Sequence, residues 1–225
     1  MSTFRQPVLT IGHSTLEIPA FLVLCQRAGV REIIDVRSHP TSRWPQFRQE
    51  NMPAWLREAG IRYLWVPALG GWDVRHCENA ELRNRMAAVG VNLTAYGRGF
   101  FPKNRIGVDR VAESSDSPTW TNQGLYDYSW FTSLPEFQNA AADLVSDTEH
   151  RALHRPAIMC CESLWWKCHR SMVADYLTAV HDYPVTHLQP RVTAHRDALG
   201  DRLDRYPVDV RRSWPAVSRG TETQS

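Results

Sequence analysis

The sequence predicts one α/β domain built on a mostly parallel sheet of about five strands, with helices on both faces in three layers, as in Rossmann-like folds. Three observations support this class. Short apolar segments alternate with longer segments of helical pattern, several of those helices end at glycine, and 225 residues suffice for one medium domain with its own core. Strands of a parallel sheet are buried on both faces, so they are expected as continuous apolar runs.

The strands are predicted over residues 8–14, 32–38, 62–71, 156–162 and 184–188, and the helices over residues 19–29, 52–60, 79–90, 134–147 and 169–180. Pro19 is tolerated in the first helical turn, and Gly29 and Gly60 stop the first two helices. Ser133 and Glu136 have the spacing of a capping box at the start of the fourth helix. Residues 97–123 mix glycine, proline, serine and aromatic residues without a period, which predicts a long loop.

Residues 1–190 are predicted to form the domain, and residues 191–225 an arginine-rich tail, partly disordered, with a short helix near residues 195–206. The formal net charge of +2 is too small to predict nucleic-acid binding. The chain has no run of about 18 apolar residues and no basic start followed by an apolar core, so we expect no membrane span, no signal peptide and a cytoplasmic location. Five cysteines, an odd number, do not suggest a disulfide framework.

Polar or glycine-rich residues follow four of the predicted strands. The first strand ends at His13 and Ser14, and the third ends at Gly70 and Gly71, where a ligand can approach the backbone closely. In open parallel sheets, ligands bind beyond the carboxyl ends of the strands. These residues therefore predict a pocket at that edge of the sheet.

The loop after the second strand carries arginines and hydroxyl groups. Following Asp35, residues 36–48 contain Arg37, Ser38, Ser42 and Arg43 and no acid, a composition that favours an anionic ligand. The alternative is that Asp35 and Arg37, which share one face of the strand, form a structural pair that holds the loop.

The segment after the fourth strand concentrates reactive side chains, namely Cys160, Cys161, Glu162, Cys168, His169 and Arg170. Alternation along the strand puts Cys160 and Glu162 on one face and assigns Cys161 to the core. Three interpretations stay open. In the first, Cys160 or Cys168 is a nucleophile activated by His169 and the start of the next helix. In the second, a metal is ligated by Cys160, Cys168 and His169, although their spacing matches no common zinc pattern. In the third, the thiols are packed and Glu162 pairs with Arg170.

Several motifs together resemble the family called domain of unknown function 488, from about residue 9 to residue 188. The resemblance lies in TIGHST, IIDVRSHPTSRWPQF, GIRYLWVPALGG, YDY followed by EFQ, MCCE followed by CHR, and a late His-Leu strand, in that order. It implies that the family's signature positions are Gly12, His13, Ser14, Asp35, Arg37, Ser38, Pro40, Ser42, Gly70, Gly71, Cys160, Glu162, Cys168, His169 and Arg170. The loop SLWWK before Cys168 and the length of residues 97–122 depart from the usual pattern. The family name implies no reaction.

The hypothesis from sequence is an enzyme, a cysteine-dependent hydrolase or transferase, acting on a phosphate-bearing or other anionic ligand related to nucleotides or nucleic acid. Its expected catalytic residues are Cys160, Glu162, Cys168, His169 and Asp35. Its expected ligand-binding residues are His13, Ser14, Arg37, Ser38, Ser42, Arg43, Gly70, Gly71 and Arg170. No cofactor is expected unless the metal interpretation holds. A binding module without catalysis is the other alternative, and the sequence does not specify an oligomeric state.

Overall fold

In a computed structural model of the chain, residues 5–70, 123–150, 155–189 and 191–215 are described. The predicted helix over residues 79–90, the predicted loop up to residue 122 and the candidate site residue Gly71 lie outside these ranges.

The described residues form one six-stranded sheet with the order β3-β2-β4-β1-β5-β6. Its strands are β1 (Val8–Gly12), β2 (Glu32–Asp35), β3 (Arg62–Trp65), β4 (Pro156–Cys160), β5 (Val185–His187) and β6 (Thr193–Ala194). β1 to β5 are parallel to one another, and β6 is antiparallel to β5. The predicted α/β class is confirmed, with one short strand more than the sequence predicted.

The strand order brings three strand exits side by side. The chain runs from β1 across to β2 and β3, and β4 then inserts between β2 and β1. Beyond the strand ends, the His13 N–H donates to the Cys160 carbonyl (3.0 Å) and the Val36 N–H donates to the Met159 carbonyl (3.0 Å). The polar segments after β1, β2 and β4 therefore meet at one edge, as expected where strand order reverses in an open sheet.

Helices cover both faces of the sheet. On one face lie α1 (Ile18–Arg27) and α2 (Met52–Glu58), and on the other lie α3 (Gln123–Phe131), α4 (Pro135–His150) and α5 (Arg170–His181). Neighbouring strand residues alternate between these two cores, so that Ile33 packs with α1 and α2 whereas Ile34 packs with α4 and α5. Gly29 and Gly60 follow the first two helices with φ of +66° and +72°, the left-handed conformation that glycine adopts without strain.

Residues 191–215 lie in the predicted tail and carry β6 and two short helices, α6 (Gly200–Leu203) and α7 (Val208–Ser213). Tyr206 and Val210 are buried in the same core as α4 and α5. Arg202 is also buried, in an ion pair with Asp175 of α5 (2.7 Å). An arginine-rich composition suggests a solvated segment, but here one arginine is neutralised inside the domain. No helix in the described ranges is long and apolar enough to cross a membrane.

Candidate functional site

Two thiols and an imidazole meet where β4 ends and α5 begins. The Nδ1 atom of His169 lies 3.8 Å from the Sγ atom of Cys160 and 3.8 Å from that of Cys168. These three atoms all lie within 4.8 Å of one another. All three residues are buried, with exposed fractions of 4% for Cys160, 4% for Cys168 and 8% for His169. We refer to Cys160, Cys168 and His169 as the thiol–histidine cluster.

The imidazole of His169 is held in one orientation by the main chain. Its Nε2–H donates to the carbonyl of Val36, the residue after β2, at 2.9 Å. A carbonyl only accepts, so Nε2 carries the proton and the lone pair of Nδ1 faces the two sulfur atoms. The ring of Tyr128 packs against His169 with centroids 5.1 Å apart.

Arg170 adds buried positive charge beside Cys168. Its backbone N–H and its Nε–H both lie 3.5 Å from the Cys168 sulfur, and its Nη2 donates to the main-chain carbonyl of Glu162. Among the described residues, Arg170 has no carboxylate at ion-pair distance. The carboxylate of Glu162 instead accepts the Leu164 N–H at 3.2 Å, so the predicted side-chain pairing of Glu162 with Arg170 is not formed.

The three neighbouring cysteines differ in exposure and acidity. Hydrogen bonding with Cys161 and burial raise the pKa of Cys160 to about 12. Burial raises the pKa of Cys168 to about 12. Cys161, which the sequence assigned to the core, is exposed, because β4 ends at Cys160 and the sheet no longer covers the next side chain. Its sulfur lies 3.9 Å from that of Cys160, whose hydrogen bond lowers the pKa of Cys161.

Asp35 and Arg37 form a buried bidentate pair on the α1 and α2 side of the sheet. The Nε–H and Nη2–H groups of Arg37 donate to the two carboxylate oxygens at 2.8 Å and 2.5 Å. The Tyr63 hydroxyl donates to Oδ2 of Asp35 at 2.7 Å. Burial alone would lower the pKa of Arg37, but the hydrogen bonds and charge of Asp35 raise it. The structural pair that the sequence left open is present.

The remaining donors of Arg37 also point at protein groups. Nη1 donates to the carbonyls of Phe47 (2.9 Å) and Thr41 (3.4 Å) and lies 3.4 Å from Nε2 of His13, and Nη2 contacts the Met52 sulfur at 3.6 Å. Arginine has five N–H groups, and each has a partner here. Binding of a ligand to Arg37, as the sequence predicted, would require breaking one of these contacts.

His13 lies beneath this arginine rather than in an open pocket. Its Nδ1–H donates to the Ser14 carbonyl at 3.0 Å, and its ring stacks on Phe47 with centroids 4.3 Å apart. Burial and the charge of Arg37 lower the pKa of His13 to about 4. His13 is therefore neutral at physiological pH.

The other predicted ligand-binding residues mainly join the loops to one another. The Ser38 hydroxyl donates to the Gly70 carbonyl at 2.9 Å, and a Cβ atom at Gly70 would lie 2.7 Å from the Ser38 nitrogen. The glycine therefore permits a close approach between two loops. Ser42 accepts the Trp44 N–H at 3.1 Å, and the exposed Arg43 lies over the Trp44 ring.

Sequence reasoning missed a second buried polar group beside the site. It consists of Thr10, Trp165, Asp175, His187, His195, Arg202 and Tyr206. Four of these residues follow α5, in segments for which the sequence predicts a last strand and a tail. The available indication in the sequence was the single acid Asp175 in an otherwise apolar helix, because a buried carboxylate requires a cation to pair with it.

A family comparison agrees with the motifs. The model of the family "Domain of unknown function DUF488" matches residues 17–86 and 104–177, and the chain belongs to that family. No curated protein matches the chain. No solved structure matches it either.

Proposed function

We propose that the protein is a metal-dependent enzyme in which Cys160, Cys168 and His169 hold a thiophilic divalent cation such as Zn²⁺. The observation that carries this proposal is the convergence of the three ligand atoms, with His169 Nδ1 at 3.8 Å from both sulfur atoms. For metal–sulfur bonds of about 2.3 Å and metal–nitrogen bonds of about 2.0 Å, a tetrahedral site separates its ligand atoms by about 3.5–3.8 Å. A cation therefore fits with small side-chain movements.

The contacts around the cluster are those that support metal ligands. A ligating histidine usually donates its other N–H to a carbonyl or carboxylate, and His169 donates to Val36. The sulfur of Cys168 faces two N–H groups of Arg170, which would stabilise a metal-bound thiolate. The first contact fixes His169 through the ring nitrogen that does not face the sulfur atoms, and the second lies on a sulfur that can accept hydrogen bonds as a thiolate.

The number of ligands favours catalysis over a purely structural role. Structural zinc sites are closed by four protein ligands, whereas catalytic sites commonly use three and leave one position for water or substrate. The described residues place three ligands together here. Such an ion polarises a substrate oxygen or lowers the pKa of a bound water, which suits hydrolysis or group transfer. The charge of Arg170 favours an anionic substrate.

A cysteine nucleophile is the second candidate, because His169 is oriented by Val36 and faces the Cys168 thiol as a base would. Burial argues against it. Burial raises the pKa of Cys168 to about 12, so little reactive thiolate forms at neutral pH without a bound cation to displace the proton.

Metal analysis of the full chain, purified without chelator and then reconstituted with Zn²⁺ or Co²⁺, tests the proposal. We expect stoichiometric metal and thiolate-to-cobalt charge-transfer absorption in the wild type and in Cys25→Ser, a control for a buried thiol away from the site. Cys160→Ser, Cys168→Ser and His169→Gln should each lose most of the bound metal. Cys161→Ser should keep it, and loss of metal there would make Cys161 a fourth ligand.

Absence of both metal and cobalt–thiolate absorption in the reconstituted wild type would reject the metal centre. Selective alkylation of Cys168 at neutral pH, abolished by His169→Gln, would then support the nucleophile instead.

A further inference from the structure

We propose that Trp165 and the buried polar network behind it position Cys168, so that residues 191–215 support the candidate metal centre from outside it. The network consists of Thr10, Asp175, His187, His195, Arg202 and Tyr206, and we call it the Asp175 network. The test of this inference by Co²⁺ affinity rests on the proposed function, whereas the test by alkylation of Cys168 does not.

Asp175 anchors the C-terminal segment to α5. Its carboxylate is fully buried and accepts hydrogen bonds from His195 Nε2 (2.8 Å), from Arg202 Nε and Nη2 (2.7 Å each) and from the Tyr206 hydroxyl (2.7 Å). Burial would raise the pKa of Asp175, but the hydrogen bonds from His195 and Arg202 lower it. All three donor residues lie in the segment after β5, so the segment is held by a charged and saturated contact.

Two histidines carry the contact from Asp175 to the sheet. Nδ1 of His195 lies 2.8 Å from Nε2 of His187, and Nδ1 of His187 lies 2.8 Å from the Thr10 hydroxyl in β1. His187 and His195 are both fully buried. Each ring nitrogen of the two histidines thus has a partner, which fixes both ring orientations.

The side chain of Trp165 packs against this network. Its ring stacks on His187 with centroids 3.9 Å apart and an interplanar angle of 4°, and the Arg202 guanidinium lies 5.5 Å from the Trp165 ring centroid. The carbonyl of Trp165 then accepts the Cys168 N–H at 3.2 Å. The stack therefore sets the position of the 3₁₀ helix Trp165–Lys167, and that helix sets the backbone position of Cys168.

The support comes from a segment outside the family match. The matched residues end at 177, whereas His187, His195, Arg202 and Tyr206 follow that position. These four residues of the network therefore lie beyond the region that the family model matches.

A pair of substitutions at Trp165 separates positioning from general stabilisation. In Trp165→Ala the stack is lost, and we expect Co²⁺ affinity to fall by about 10–100-fold, the usual effect of losing an outer contact of a metal site. Trp165→Phe keeps an aromatic face on His187 and should restore most of the affinity. Trp55→Ala is the control, because Trp55 packs on Phe21 and Phe47 in the core on the other face of the sheet.

Alkylation of the metal-free folded protein, mapped by mass spectrometry, gives the second readout. Cys168 should be protected in the wild type, in Trp165→Phe and in Trp55→Ala, and should become reactive in Trp165→Ala. If Trp165→Ala does not fold, His195→Gln interrupts the network while keeping the tryptophan, and the same exposure of Cys168 is expected.

The outcomes for the two proposals are separable. A wild type that binds no metal rejects the metal centre, and the protection of Cys168 still decides the positioning role. The inference would be overturned if Cys168 stays protected from alkylation in both Trp165→Ala and His195→Gln. Unchanged Co²⁺ affinity in both variants, where the wild type binds the metal, would overturn it as well.

Discussion

Acidification from about pH 8 to about pH 5 is expected to destabilise the folded protein through two buried neutral histidines. Burial and the charge of Arg37 lower the pKa of His13 to about 4. Burial and the charge of His195 lower the pKa of His187 to about 2. The charged or titratable groups that act on these two histidines are Arg37, Asp35 and Arg170 for His13, and His195, Arg170, Arg202 and Asp175 for His187.

The direction follows from where each proton binds. An unfolded histidine takes up a proton below about pH 6.5, while the folded protein keeps His13 neutral down to about pH 4 and His187 down to about pH 2. Between those values the unfolded state binds more protons, so the free energy of unfolding falls as the pH falls. At about 1.36 kcal/mol per pH unit, each histidine contributes a loss of about 2 kcal/mol at about pH 5, or about 4 kcal/mol together.

Urea unfolding at a series of pH values measures this loss, with the free energy obtained by linear extrapolation. The comparison uses the difference in stability between about pH 8 and about pH 5, because His187→Gln also changes the absolute stability. That difference should shrink by about 2 kcal/mol in His187→Gln and stay unchanged in His39→Gln, where the histidine is exposed. A wild-type difference below about 1 kcal/mol, or an equal difference in all three proteins, would refute the reasoning.

Two further predictions concern the scaffold of the site. Asp35→Asn should lower the free energy of unfolding by about 3–5 kcal/mol, because it leaves the buried guanidinium of Arg37 without its carboxylate. The control is Arg196→Gln, which breaks an exposed ion pair and should cost less than about 1 kcal/mol in the same urea assay. Gly12→Ala should lower the yield of folded protein and the metal content together, because its Cβ would overlap a main-chain carbonyl of the loop after β4. Gly200→Ala, with open space around it, should change neither, and normal metal content in Gly12→Ala would contradict this account.

The pKa shifts and ion pairs behind these predictions could not be obtained from sequence, even where the residues themselves were identified. Cys160, Cys168 and His169 were singled out because they flank one strand-to-helix junction, and they do meet. Arg37 was singled out for a ligand, yet each of its donors already has a protein partner. A list of polar residues does not show which of their hydrogen bonds are already satisfied inside the protein.

The exposure of Cys161 and the burial of Arg202 show a second limit. Alternation along a strand predicts which face a side chain takes, but Cys161 lies just beyond the end of β4, where no sheet remains to cover it. Arg202 is polar in the sequence and buried in the structure, because Asp175 lies 27 positions earlier on α5 and neutralises it. Neither outcome depends on local sequence pattern.

The sequence by itself determined the α/β class, the order of the main strands and helices, and the edge of the sheet at which polar residues collect. These features depend on local hydrophobic patterns and turn residues, which act over a few positions. Only the tertiary structure decided that Val36 orients His169 across 133 positions of chain and that His187 stacks on Trp165. Both contacts follow from the strand order, in which β4 lies between β2 and β1 and β5 lies on the far side of β1, and that order is set by packing of the whole chain.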